Sequence, residues 1–121
     1  MFELIVETDF AAAHSLRGYQ GKCENLHGHN WKVQVVLKSQ RLNDLGMVMD
    51  FKEVEDRVGE ILESFDHKYL NDLAPFKRRN PTTENVSKVL YNELSKRLPR
   101  GVSITKVTTW ESDCCGASYF G

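Results

Sequence analysis

Cysteine is scarce in this chain. There are three, Cys23, Cys114 and Cys115, and the last two are adjacent. An odd number with that spacing makes a poor disulfide framework, so a reducing compartment is expected. Long apolar runs are missing, and none could cross a bilayer. The first residues, Met1-Phe2-Glu3-Leu4-Ile5-Val6-Glu7, are too acidic and too short in their apolar part for a signal peptide. These absences point to the cytoplasm and away from membranes. Neither sign of charge dominates: 16 Lys and Arg stand against 17 Asp and Glu, a net charge of −1. With no basic-aromatic stripe either, a nucleic-acid surface is not expected. Fixed-period repeats and low-complexity segments are lacking as well. What 121 residues allow is one domain, residues 1–121, able to bury a core and small enough to gain from oligomerisation.

Phe2 to Phe10 is rich in Phe, Ile, Val and Thr and reads as a strand, which Ala11-Ala12-Ala13-His14 could prolong. A loop with two glycines, Arg17 to Lys22, follows. From His27 to about Lys38 the chain alternates: Trp31, Val33, Val35 and Leu37 against Lys32, Gln34, Val36 and Lys38. That is a sheet strand with one buried face, and the same period of two puts His27 and His29 on it. Ser39 to Gly46 is turn-like, and Met47-Val48-Met49 is a candidate short returning strand. Asp50, with Glu53 three residues on, opens a helix. Its apolar stripe is Phe51, Val54, Val58, Ile61, Leu62 and Phe65, and its end is expected near Phe65. Asp66 to Asn71 is a helix end or loop, and Leu73 to Asn80 a loop with a basic run. Thr82-Thr83-Glu84 marks a second helix start, with Val86, Val89, Leu90, Leu94 and Leu98 as its stripe. Pro99-Arg100-Gly101 stops it. Val102 to Glu111 reads as a long strand and Ala117 to Phe120 as a last one. Strands first and last with helices between imply an α+β fold, an antiparallel sheet with two helices packed on one face.

The chemistry concentrates in Cys23-Glu24-Asn25-Leu26-His27-Gly28-His29, with His14 upstream. Two histidines two residues apart share one face of a strand. Three neutral imidazoles without a fourth protein ligand suit a catalytic zinc ion, whose remaining position must stay open. Zinc is favoured over iron or copper, because no carboxylate completes a facial triad and no thioether is near. Cys23 has three readings: a fourth ligand closing a structural site, a base or nucleophile beside the metal, or a small buried residue. Asp66 could orient His67 as a proton shuttle, although a histidine at a helix C-terminus needs no function. Glu111, after Trp110, could accept two parallel N–H bonds from an amino-pyrimidine ring, or be a solvated strand end. Thr82, Thr83 and Glu84 are explained by helix capping. Lys77, Arg78 and Arg79 read as a solvated loop, and Cys114 and Cys115 as turn residues.

Taken together, Phe10-Ala11-Ala12-Ala13-His14, the Cys23–His29 segment, Met49-Asp50-Phe51, Phe65 to Asn71, Asn80 to Asn85 and Trp110-Glu111 stand in an order that resembles the 6-pyruvoyl-tetrahydropterin synthase family. The resemblance spans nearly the whole chain. Three residues between the thiol and His-Gly-His look like the branch that makes 6-carboxy-5,6,7,8-tetrahydropterin in queuosine biosynthesis. The resemblance implies a tunnelling fold whose subunits assemble into a barrel, as trimers stacked into a homohexamer. It implies zinc on His14, His27 and His29, and a catalytic rather than ligating Cys23. Asp66 and His67 would be a proton-relay pair, Glu111 the pterin anchor, and Thr82 and Thr83 part of the pterin pocket. The active site would lie between subunits, so Cys23 and His67 need not come from one chain. The implied substrate is 7,8-dihydroneopterin triphosphate, a small-molecule partner. Two rivals stand beside this: triphosphate elimination to the pyruvoyl-pterin, and a non-catalytic zinc-stabilised interaction domain.

Overall fold

A long hairpin sets the frame. In the computed structural model, which describes residues 1–20 and 25–121, β1 runs Phe2–His14 and β2 runs His27–Ser39. They pair antiparallel without interruption from Phe2 opposite Ser39 to His14 opposite His27. Even positions of β1 and odd positions of β2 therefore share a face. Val6, Phe10, Ala12, Trp31, Val33, Val35 and Leu37 bury there, as the alternation predicts. Burying each large side chain stabilises the fold by about 1.5–3 kcal/mol. Phe10 stacks on Trp31 at 5.7 Å between ring centroids, and the Trp31 indole N–H donates to the Ala12 carbonyl at 3.3 Å.

Helix α1, Phe51–Leu62, starts where Asp50 accepts the Lys52 N–H at 2.9 Å. It buries Val54, Val58, Ile61 and Leu62 against the hairpin's apolar face. Three expectations about this segment are corrected. Met47-Val48-Met49 is not a strand, because Asn43 folds the segment into a turn: its side chain accepts the Leu45 and Met47 N–H groups at 2.9 and 3.0 Å. Phe51, first in the helix, is exposed, since the buried stripe begins only one turn on. The helix also ends earlier than expected, and Phe65 reaches the core from the turn that follows it.

The segment after α1 is more ordered than its composition suggests. His67 takes a left-handed backbone with φ 59°, and its N–H donates to the Ala11 carbonyl at 2.6 Å. That reversal lets Lys68–Tyr69 run beside β1 as a parallel strand, β3. Two short 3-10 turns, Leu70–Asp72 and Ala74–Phe76, bury Leu70 and Phe76. Helix α2, Thr83–Ser95, is capped by Thr82, whose hydroxyl accepts the Asn85 N–H at 3.1 Å. It buries Val86, Leu90 and Leu94. Strand β4, Ser103–Trp110, pairs with β2, and β5, Gly116–Tyr119, pairs with β4. The sheet order is β3-β1-β2-β4-β5. The α+β class and the helical layer hold, but the sheet is mixed rather than wholly antiparallel, because β3 is parallel to β1.

Candidate active site

The hairpin's open end delivers the metal-ligand candidates. His14 is the last residue of β1, His27 the first of β2, and they are direct partners across the ladder. His29 stands opposite Ala12, on the same face. Ring centroids lie 4.5 Å apart for His14 and His27, 4.6 Å for His27 and His29, and 5.2 Å for His14 and His29. One ligating nitrogen from each of the three falls within 4.8 Å of the others. Trp31 forms the floor, edge-on to His14 and His29.

The hydrogen bonds fix which nitrogens are free. Nδ1 of His14 meets the Pro81 carbonyl at 2.7 Å, and Nδ1 of His27 meets the Asn25 carbonyl at 2.7 Å. A carbonyl can only accept, so both Nδ1 atoms carry hydrogen and both Nε2 atoms offer a lone pair when the ring is neutral. Nε2 of His14 and of His29 are buried and have no hydrogen-bond partner among the described residues. Buried polar atoms are normally paired. A cation between the rings would supply the missing partner, so the residues fit a three-histidine metal site of the kind zinc takes. Burial, the leading cause, pushes both His14 and His29 below the ordinary histidine pKa. The neutral imidazole is the form a metal binds.

A carboxylate flanks this cluster. Glu111 follows β4, and its N–H donates to the Cys115 carbonyl at 3.2 Å. Its Oε2 lies 3.6 Å from His14 Nε2 and accepts from the Thr83 hydroxyl at 3.3 Å. The Thr83 carbonyl in turn accepts from the Thr109 hydroxyl at 3.1 Å. Thr109 Oγ1 is 2.6 Å from Ser87 Oγ, which reaches the Ala117 carbonyl at 2.8 Å. Ser87 and Thr109 are fully buried, and sequence reasoning missed both. The available signal was a serine inside the helix's apolar stretch and a threonine at an inward strand position. Thr83 joins the site, whereas the Thr82 hydroxyl is committed to capping.

Asp66 and His67 form their expected pair, with 3.1 Å between Oδ1 and Nδ1. The Ala11 N–H, donating to Asp66 Oδ1 at 2.9 Å, is the first cause holding that carboxyl below its usual range, and His67 adds to it. The pair sits with Asp9, Ala11 and Asn30, whose side chains point to the sheet face opposite Phe10, Ala12 and His29. Within one chain, then, the relay candidates and the imidazole cluster occupy opposite faces. A cleft of about 590 Å³ lies beside His67, between β1, β3 and the start of β2, and both His67 and His29 border it. A hollow of about 650 Å³ between α1 and α2 shares no residue with the imidazole cluster. Cys23 lies outside the described residues.

Comparison with known proteins agrees with this fold. The family model described as 6-pyruvoyl tetrahydropterin synthase matches residues 3–121. A protein of Synechocystis named 6-carboxy-5,6,7,8-tetrahydropterin synthase is 32% identical, over 99% of this chain and 94% of its own. A Pyrococcus furiosus protein named dihydroneopterin monophosphate aldolase is 31% identical, over 91% of this chain and 90% of its own. The solved 6-pyruvoyl tetrahydropterin synthase of Caenorhabditis elegans superposes with a TM-score of 0.89 at 28% identity, covering 99% of this chain and 95% of that one. The chain belongs to the 6-pyruvoyl tetrahydropterin synthase family.

Proposed function

We propose that this family member is a zinc-dependent lyase that converts 7,8-dihydroneopterin triphosphate, with uptake of one water, to 6-carboxy-5,6,7,8-tetrahydropterin, acetaldehyde and triphosphate. The reaction is a step of queuosine biosynthesis in this reading, carried out in the cytoplasm. The observation that carries it is the pair of buried, unpartnered Nε2 atoms on His14 and His29, with the Glu111 carboxylate beside them. His14, His27 and His29 would hold the zinc, which when bound would supply a Lewis acid for the substrate's side-chain hydroxyls. Glu111 accepts N–H bonds from the amino-pyrimidine edge, steadied by the Thr83 hydroxyl. Thr82 contributes to the pocket by capping the helix that presents Thr83. Cys23, as thiolate, removes a proton from the side chain next to the pterin ring. His67, oriented by Asp66, returns protons and assists departure of triphosphate. Because the relay pair and the imidazoles sit on opposite faces of one sheet, a neighbouring subunit supplies the relay to each centre. That requirement supports a barrel-forming homohexamer.

Incubation of zinc-loaded protein with 7,8-dihydroneopterin triphosphate, followed by mass analysis, tests the proposal. Acetaldehyde and the carboxy-pterin are expected. A pyruvoyl-pterin without acetaldehyde moves the chain to the elimination branch. The relative named as an aldolase motivates a second substrate, dihydroneopterin monophosphate. Preferential cleavage of that compound, with phosphate retained on the smaller fragment, replaces the proposal with an aldolase. A protein that unfolds on chelation and binds no pterin is an interaction domain instead.

A further inference from the structure

Beyond His14 the first strand runs out of neighbours, yet its outer edge stays fully bonded. At Ala11 the N–H goes to the Asp66 carboxylate and the carbonyl takes the His67 N–H. β3 then covers Ala12 and Ala13. At Ser15 the partner is a side chain: Asn71 Oδ1 accepts the Ser15 N–H at 3.0 Å, and Asn71 Nδ2 donates to the Ser15 carbonyl at 2.9 Å. At Arg17 the same thing happens again. Asn80 Oδ1 accepts the Arg17 N–H at 2.8 Å, and Asn80 Nδ2 donates to the Arg17 carbonyl at 3.0 Å. A carboxamide carries a donor and an acceptor in one plane, as a peptide does. Ser15 and Arg17, two residues apart, follow β1 directly, Arg17 opening the turn that contains Gly18. Two asparagine side chains thus stand in for the next two rungs of the ladder.

The second rung reaches the metal centre. Asn80 immediately precedes Pro81, whose carbonyl fixes the His14 ring through Nδ1 at 2.7 Å. On its other side Asn80 is tied to α2, because its carbonyl accepts from Asn85 Nδ2 at 2.8 Å. The Arg17 guanidinium adds bonds to the carbonyls of Asn71 and Arg79, at 3.2 and 3.4 Å. Apart from the His14–Pro81 bond itself and the 3.4 Å bond from the Arg17 guanidinium to the Arg79 carbonyl, it is the Asn80 carboxamide that ties the Asn80–Pro81 peptide to the chain continuing from His14.

We propose that Asn80 is a positioning residue of the metal centre: its carboxamide, backed by that of Asn71, locks the Pro81 carbonyl against His14 and so sets the direction of the Nε2 lone pair. The proposal rests on the reading of the three histidines as zinc ligands. Outer-shell partners of metal-ligating histidines typically contribute 10–100-fold to affinity.

The test measures metal binding, not turnover. Zinc affinity by chelator competition and the visible spectrum of the cobalt(II) form are compared for the parent, Asn80→Ala, Asn80→Asp and a remote core variant, Val58→Ala. Val58 is buried in α1 and touches none of these bonds. Asn80→Ala is expected to weaken zinc binding on the order of tenfold or more and to shift the cobalt band. Asn80→Asp keeps the acceptor for Arg17 and loses the donor, so it falls between parent and alanine. Val58→Ala lowers the melting temperature and leaves zinc affinity within about twofold of the parent. If Asn80→Ala folds and binds zinc like the parent, the proposal is overturned and the zinc reading survives. If Val58→Ala loses affinity equally, the effect is general destabilisation and the proposal is likewise overturned. If the parent binds neither metal, both readings fall together.

Discussion

Gly116→Ala is a small change with a large expected effect. Gly116 opposes Trp110 across the β4–β5 ladder. A Cβ built there would lie 2.5 Å from Trp110 Cδ1, 2.7 Å from Nε1 and 2.8 Å from Cγ. Ordinary contact begins near 3.4 Å, so the overlap approaches 1 Å and involves the base of the ring, not a movable tip. Either the whole indole swings about χ1 or β5 lifts from β4. Overpacking of this kind costs about 1–3 kcal/mol. With an unfolding entropy near 2.1 cal/mol/K per residue, a chain of this length shifts by roughly 4 °C per kcal/mol, so a fall of about 4–12 °C is expected. The decisive measurement is a double-mutant cycle by thermal or urea melting at one protein concentration. In a Trp110→Ala background the obstruction is gone. There the same Gly116→Ala should stabilise by about 0.5–1 kcal/mol, because glycine inside a strand loses more backbone freedom on folding. Additive effects, or a neutral single variant, would refute the reasoning.

Three further outcomes are expected. Cys23→Ala should abolish pterin turnover while zinc stays near one per subunit; loss of the metal would make the thiol a ligand. Thr109→Val, isosteric but without the hydroxyl at 2.6 Å from Ser87 and 3.1 Å from the Thr83 carbonyl, should cost about 1–3 kcal/mol and raise KM through Thr83 and Glu111 more than it lowers zinc affinity, read by melting, kinetics and chelator competition. Metal-free protein should lose stability on acidification from pH 7 to pH 5: burial depresses the folded-state pKa of His14 and His29, so the unfolded chain takes up protons near 6.5 that the folded chain refuses, and stability falls as pH drops from there through the folded-state values. Melts in chelator at three pH values check this, and a flat profile would contradict it.

Where the sequence was legible, the reason was period or chemistry local to a few residues. The alternation from His27 to Leu37 announced both the strand and the shared face of two imidazoles, and Asp50 and Thr82 announced their helices. His14 could be joined to them only by supposing that Ala11 to His14 prolonged the first strand, which it does. The illegible parts depend on partners far along the chain. β3 is two residues long and exists because His67 reverses the backbone onto Ala11, 56 positions earlier in the chain, which brings Lys68 beside Ala12. No window of local residues encodes that. The Pro81 carbonyl carries no side-chain signature, so its bond to His14 is invisible until the fold brings the segment preceding α2 against the end of β1. Phe51 satisfied the helical period and is still exposed, because periodicity assigns a face and not the length over which that face is covered. Asp66 beside His67 was readable as a pair; the side of the sheet it occupies was not.

All three imidazoles belong to one hairpin, residues 2 to 39, whereas Thr83 and Glu111 come from the other half of the chain. In the proposed function, capture of the ion and choice of the organic molecule thus fall to separate stretches of polypeptide. The two stretches meet at one point, because Pro81, two residues before Thr83, fixes His14: substitutions around Thr83 and Glu111 that retune the organic partner would have to leave the Asn80–Pro81 peptide in place.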